Sequence, residues 1–244
     1  IDEVREVLST RAERLAREGV LPIGLMGRQW QQQLVTGLVP VRRAWLELGA
    51  RYPQAAPKLA VDLALDGVRL DDWIDKLRTD GANTVWLMQI SSKVLTKGGV
   101  ARGDKLIGPW LRQLAAAAAG ARVTGYLVAR DAIVTMAPVD GDLARAVLAQ
   151  LVALWRRNLD QPLAVACKTA LARLQDGDPR VTYDGGYELS GEGDDLCLAR
   201  LWPDFAALTA GGEWPDVAEQ LYGALAGWLA YDITVVKHEA EEQA

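Results

Sequence analysis

A single histidine, His238, two cysteines and one phenylalanine stand in a chain of 244 residues. Each scarcity removes a class of chemistry. With one histidine there is no His-rich zinc site and little room for Ser-His-Asp or Cys-His catalysis. His238 lies beside the acidic tail "KHEAEEQA" and reads as a solvated tail residue. Cys167 and Cys197 make neither a CxxC pair nor a disulfide framework, and are expected as buried thiols in a reducing, cytoplasmic setting. No apolar run approaches the roughly 18 residues of a membrane span. The blandest stretch, "LAAAAAGA" from Leu114 to Ala121, is far too short. The opening "IDEVREVLSTRAERLAREG" is charged throughout, so no secretory leader is expected, and a start at Ile1 rather than Met suits a piece of something longer. No GxxxxGK[ST] loop is present, so ATP binding is not expected. A basic excess is also missing: 27 Lys and Arg stand against 32 Asp and Glu, a net charge of −5. Free-standing DNA binders are usually basic, because phosphate neutralisation supplies their affinity. Any DNA contact must come from a local patch or from an assembly.

What is present suits a globular fold. Half the residues are hydrophobic and 24% are charged. Residues 2–18 carry Val4, Leu8, Ala12 and Leu15 at helical spacing, with Gly19 as the stop. A second helical region follows, in which Pro40 should split or kink the helix. Its expected buried stripe is Trp30, Leu34, Leu38, Val41, Trp45 and Leu48. This places an N-terminal helical region at 1–56 and the remaining core at 57–244. At Pro57 the pattern changes: "KLAVDLAL" alternates, with Val61, Leu63 and Leu65 on one face. Asp66-Gly67 is a hairpin dipeptide, "VRLDDWIDKL" the returning strand, and "TVWLMQIS" a third strand of the same meander. Beyond it lies a Gly-rich basic loop, "KVLTKGGVARGDK", with Lys93, Lys97, Arg102 and Lys105. A helix over 106–120, the strand pair "RVTGYLVAR" and "DAIVTMAP", and helices over 140–159 and 161–175 follow. "DGDPRVTYDGGYELSGEGDD" reads as a loop or a partly ordered segment, and "VAEQLYGALAGWLAYDI" closes the chain as a helix. The order implies an α+β (α/β) fold with a mixed sheet and helices at both ends.

Two stretches raise the question of catalysis. An acid, Asp75 in "RLDDWIDKL", precedes an apolar strand that runs out into polar residues, "VWLMQISSK". This is the layout of a metal-dependent nuclease core, in which clustered carboxylates hold a divalent ion and a lysine helps to activate water. In such a core the second strand ends Asp/Glu-x-Lys. Here it ends Gln89-Ile90-Ser91. Gln89 brings no charge and Ser91 cannot replace a cation. Asp71 and Asp75 lie two pleats apart, about 13 Å, too far for one ion, and Asp72 faces the other way. Lys93 is two residues beyond Ser91 and on its face, which leaves a displaced lysine open. The residues favour a nuclease frame without a metal site.

Several segments, in order, resemble the RecC C-terminal domain of exodeoxyribonuclease V gamma subunits. They are "LAREGVLPIGLMGRQWQQQL" (15–34), "VDLALDGVRLDDWIDKL" (61–77), "LIGPWLRQLAAAAAG" (106–120), "MAPVDGDLARAVLAQLVALWRRNLDQPL" (136–163) and "GEGDDLCLARLW" (191–202). The departures are Asp71-Asp72 in the hairpin, Leu196-Cys197 in the last segment, and "TVWLMQISSK". The resemblance implies a restriction-endonuclease-like PD-(D/E)xK core that has lost its active site. It sets Asp75 at the first acid position, and Gln89 and Ser91 where Asp/Glu and Lys would stand. It implies no cofactor in this domain, with Mg²⁺ and ATP used by the other subunits of the helicase-nuclease. It also implies packing against RecB-like and RecD-like subunits, and a part in DNA repair and recombination: splitting double-stranded, forked DNA where the duplex comes in. Lys93, Lys97, Arg102 and Lys105 are then the candidate DNA-binding residues. An active nuclease with a migrated site, and a protein-interaction domain that never touches DNA, are the alternatives. The nine tryptophans are expected at core or interface positions, with one or two available to stack on an unpaired base.

Overall fold

The computed structural model describes residues 2–187 and 189–238. The chain opens with two helices, α1 (Asp2–Arg17) and α2 (Gly24–Arg51). Strands β1 (Gln54–Ala55), β2 (Leu59–Leu65), β3 (Val68–Ile74), β4 (Leu77–Thr79) and β5 (Thr84–Gln89) lead to helix α3 (Gly103–Ala118). Strands β6 (Val123–Val128) and β7 (Ala132–Met136) follow, then α4 (Gly141–Asp160) and α5 (Cys167–Leu174). Three short helices, α6 (Pro179–Asp184), α7 (Leu196–Leu201) and α8 (Phe205–Thr209), precede α9 (Trp214–Tyr231) and a last strand, β8 (Ile233–Lys237). The fold is mixed α+β, as the order of patterns predicts.

The sheet has six strands in the order β1-β4-β5-β6-β7-β8. Among the described strands only β5 and β6 run parallel, with α3 as their crossover. Alternation along β5 divides the core. Val85 and Leu87 point to one face, where Val41, Ala44 and Leu48 of α2 cover them. Trp86 points to the other, into the main core with Leu106, Trp110 and Leu114 of α3. A buried amide fixes this second face. Gln113 accepts from the Trp86 indole N–H at 2.8 Å, and donates to the carbonyls of Val123 (2.6 Å) and Ala137 (2.8 Å). On β6 the Trp86 ring lies where a side chain at Gly125 would be: a Cβ there would sit 2.3 Å from Cζ2.

Several expectations need correction. The three-strand meander does not form. β2 and β3 pair only with each other, as a separate two-stranded sheet. Their turn is the expected one, with Asp66 at φ 46° and Gly67 at φ 76°, the positive values a type I′ turn requires. β3 is cut off from β5 because the chain breaks after Ile74: Lys76 takes φ 56°, and β4 starts a new ladder with β5. Pro40 does not split α2, because Val39 and Val41 beside it are both fully buried and tie the two halves to the body. The buried stripe of α2 is Val35, Val39, Val41, Ala44 and Leu48, while Trp30 and Leu34 face outward. Residues 161–166 precede α5 rather than joining it.

The described residues of the "DGDPRVTYDGGYELSGEGDD" segment are built, not loose. Asp178 caps α6, Tyr183 is fully buried, and the Glu192 carboxylate accepts from Lys168 N, Thr169 N and the Thr169 hydroxyl at the start of α5. The chain does not close on a helix, since β8 adds the sixth strand beside β7. The acidic tail beyond His238 lies outside the described residues. The thiols are not both buried: Cys167 is half-buried and Cys197 is exposed. Tryptophan placement is mixed, with Trp86, Trp110, Trp214 and Trp228 buried and Trp30, Trp73 and Trp155 exposed.

Candidate nucleic-acid interface

Because β5 and β6 are parallel, their C-terminal ends lie at the same end of the sheet. The basic loop leaves from that end. Ile90 N donates to Val128 O (3.0 Å) and Arg130 N to Ser92 O (3.2 Å), which carries the pairing past the strand ends. The loop then folds on itself. Arg102 N donates to Val94 O at 2.8 Å, Thr96 N to Val100 O at 2.8 Å and Gly99 N to Thr96 O at 3.0 Å, and Leu95 pairs with Ala101. Lys97 therefore sits at the tip of a small hairpin. Val94 and Leu95 are buried at its root, while Lys93, Thr96 and Lys97 are exposed.

One carboxylate braces the root. Asp131, just before β7, accepts from Val94 N through Oδ1 (2.9 Å) and from Leu95 N through Oδ2 (3.1 Å). Two backbone donors that no strand partner satisfies are thereby answered by one side chain. The last strand arrives at the same place. Lys237 Nζ lies 2.6 Å from the point a Cβ at Gly99 would occupy. His238 is not a free tail residue: its N donates to Asp131 O at 3.2 Å, and its Nε2 lies 2.8 Å from Ala129 O.

Of the candidate DNA-binding residues, Lys93 and Lys97 stand together on this loop and Lys105 is exposed in the first turn of α3. Arg102 differs: it is partly buried and paired with Asp104 at 2.9 Å, so its charge is answered within the chain. Arg130 and Lys237 join the cluster and were not foreseen. Arg130 carried a signal, since it falls in the short "ARDA" connection of an expected strand pair. Lys237 carried none while β8 was unseen.

The positions aligned with nuclease chemistry are not brought together. Asp75, 47% exposed at its side chain, lies outside the strands and pairs with Arg112 of α3 at 3.3 Å. Arg112 also lies over the Trp86 ring, 5.7 Å from its centroid. Asp75 thus belongs to the α3 face of the sheet. Gln89 lines a cleft with Leu8, Val35 and Leu38 of α1 and α2, and Ser91 lines another with Trp30 and Leu38. These belong to the α2 face. The β4–β5 register begins with Leu77 opposite Trp86, so Asp75 stands outside that ladder, beyond the positive-φ residue Lys76. Among the described residues, no group of three or more His, Cys, Asp or Glu side chains is placed to hold a metal ion. No described helix is long and apolar enough to cross a membrane.

Comparison with known proteins agrees with the resemblance read from the segments. The family model of the RecC C-terminal domain matches residues 3–178, which take in α1 to α5 and strands β1 to β7. The chain is 27% identical over 223 residues to the RecBCD enzyme subunit RecC of Escherichia coli (strain K12). That alignment covers 78% of this chain and 18% of the relative, so the chain spans under a fifth of that protein's length.

Proposed function

The chain belongs to the RecC C-terminal domain family, and from that premise we propose that it is a nuclease-like domain that does no nuclease chemistry, works within a helicase-nuclease assembly, and holds DNA where the duplex is split. The observation that carries the reading is the gathering of Lys93, Lys97, Arg130 and Lys237 at one end of the sheet of an acidic chain. A local concentration of cations on a braced hairpin suits phosphate contact, and an overall charge of −5 does not oppose it when the patch is local. The core is taken to be a restriction-endonuclease-like PD-(D/E)xK frame. The separation of Asp75 from Gln89 and Ser91 supports the non-catalytic part of the proposal, since two-metal or one-metal hydrolysis needs its oxygen ligands on one face. Mg²⁺ and ATP chemistry is assigned to the partner subunits.

A second surface favours the scaffolding part. The β2–β3 hairpin lies over α3 and α4 and leaves a cleft of about 450 Å³, lined by Val61, Leu65, Trp73, Leu111, Leu148 and Trp155. Its exposed tryptophans suit a protein contact, where aromatic residues are enriched. RecB-like or RecD-like subunits are the proposed partners.

The test is cleavage of labelled linear and forked DNA with Mg²⁺ or Mn²⁺ beside an Asp75→Ala control, followed by fork binding across a salt series. No cleavage together with salt-sensitive binding is the expected result. Cleavage that Asp75→Ala abolishes would overturn the proposal, and absence of DNA binding at low salt would leave only the protein-interaction reading.

A further inference from the structure

The N-terminal half of α2 closes over the basic end of the sheet and forms a cleft of about 370 Å³ there. Its walls are Trp30, Gln33, Leu34 and Gly37 on the helix and Ser91 and Arg130 on the sheet end. Positions 30, 33, 34 and 37 repeat at helical spacing, so they share one face. Trp30 is 51% exposed, while the same helix buries Val35 and Val39. Two turns along, about 10 Å, the Arg130 guanidinium lies across Gly37: a Cβ at 37 would meet Nη2 at 3.3 Å and Nε at 3.4 Å. A methyl group there would crowd the guanidinium by only a few tenths of an ångström. Arg130 is also tied to the basic loop through its backbone N–H to Ser92 O.

The cleft therefore offers a flat aromatic face at one end, a cation at the other, an exposed amide (Gln33) between them, and the Lys93 and Lys97 loop outside. We propose that this cleft is a subsite for an unpaired nucleotide of a DNA strand, with the base stacked on Trp30 and a phosphate held by Arg130. The inference rests on the DNA-contact reading above and deepens it, because it assigns the single-stranded arm rather than the duplex. The charge of the rim selects nucleic acid over an apolar protein segment. A flat π-face at one end, with a cation two helical turns away, matches the stacking-plus-phosphate pattern of sequence-tolerant single-strand binding.

The test uses the 244-residue chain and two labelled probes. One is a duplex with oligothymidine arms carrying one 2-aminopurine, and the other is the same duplex with blunt ends. Trp30→Ala should lower fork affinity between about 5- and 150-fold, leave blunt-duplex affinity unchanged and abolish the 2-aminopurine quenching. Trp30→Tyr should keep most of both. Arg130→Ala should lower fork affinity and reduce the salt slope by about one ion. Trp30 is a surface residue, so an unchanged melting temperature checks that the variants fold. Fork preference and quenching that survive Trp30→Ala would overturn the subsite. Equal, salt-sensitive binding of wild type to fork and blunt duplex would overturn it while the DNA-contact reading stood. No binding of either probe would overturn both.

Discussion

Neutralising an acid beside a basic patch ordinarily strengthens phosphate binding. At Asp131 the reverse is expected. Its two oxygens accept from Val94 N and Leu95 N at 2.9 and 3.1 Å and so hold the root of the Lys93–Lys97 hairpin. In Asp131→Asn one oxygen remains, and the amide nitrogen faces a backbone donor, so one bond is lost and a donor meets a donor. Hydrogen bonds to charged groups are worth about 1.5–3 kcal/mol each. Asp131 is only half-buried, so the low end applies, and loosening the loop should cost about 2 kcal/mol. The opposing gain is small. Removing one negative charge about 10 Å from a phosphate is worth about 0.4 kcal/mol at the dielectric of water, and less once salt screens it. The ordering effect wins by several-fold in energy. Fork affinity should fall by up to about 15-fold, and the Val94 and Leu95 amides should lose protection from hydrogen exchange. Anisotropy titrations at several salt concentrations and exchange by NMR read both quantities. Tighter fork binding by Asp131→Asn, with the two amides still protected, would refute the bracing argument, because charge alone would then govern the patch.

Other outcomes follow from the same structure. Gln113→Leu strips partners from the Trp86 indole and the carbonyls of Val123 and Ala137, and should cost about 3 kcal/mol or more in urea unfolding. Gly125→Ala drives a methyl group to within 2.3 Å of the Trp86 ring, so overpacking should cost about 1–3 kcal/mol, read as a lower melting temperature. Asp75→Ala breaks a partly exposed pair with Arg112 and should cost under about 1 kcal/mol. Burial, followed by the charge of Glu192, pushes the Cys167 thiol up to about 11 from 9.0. The unfolded chain gives up this proton near pH 9 and the folded chain keeps it until about 11, so the stabilisation is full below pH 9 and lost between 9 and 11. Urea midpoints should fall across that window, less so in Cys167→Ala, while the exposed Cys197 is alkylated first at neutral pH.

Local signals carried most of what the sequence made legible. Asp66-Gly67 fixed a hairpin because the two residues that must take positive φ are adjacent to the strands they join. Val61, Leu63 and Leu65 are buried as their alternation requires. What failed was pairing at long range. Nothing in "TVWLMQIS" says that its parallel neighbour begins at Val123, and nothing in "ITVVK" says that it pairs with Ala132–Met136, about a hundred residues earlier. The candidate site suffered in the same way. Lys93 and Lys97 were visible as a basic loop, but Arg130 and Lys237 reach it only through those pairings. The nuclease alignment shows how sensitive such readings are. Because strand faces alternate at every residue, one residue of register decides which side of the sheet a group serves. The turn at Lys76 separates β3 from β4, Asp75 falls with α3, and Gln89 with α1 and α2. What the α2 face gathers at that end of the sheet is aromatic and cationic, Trp30 and Arg130 lining one cleft.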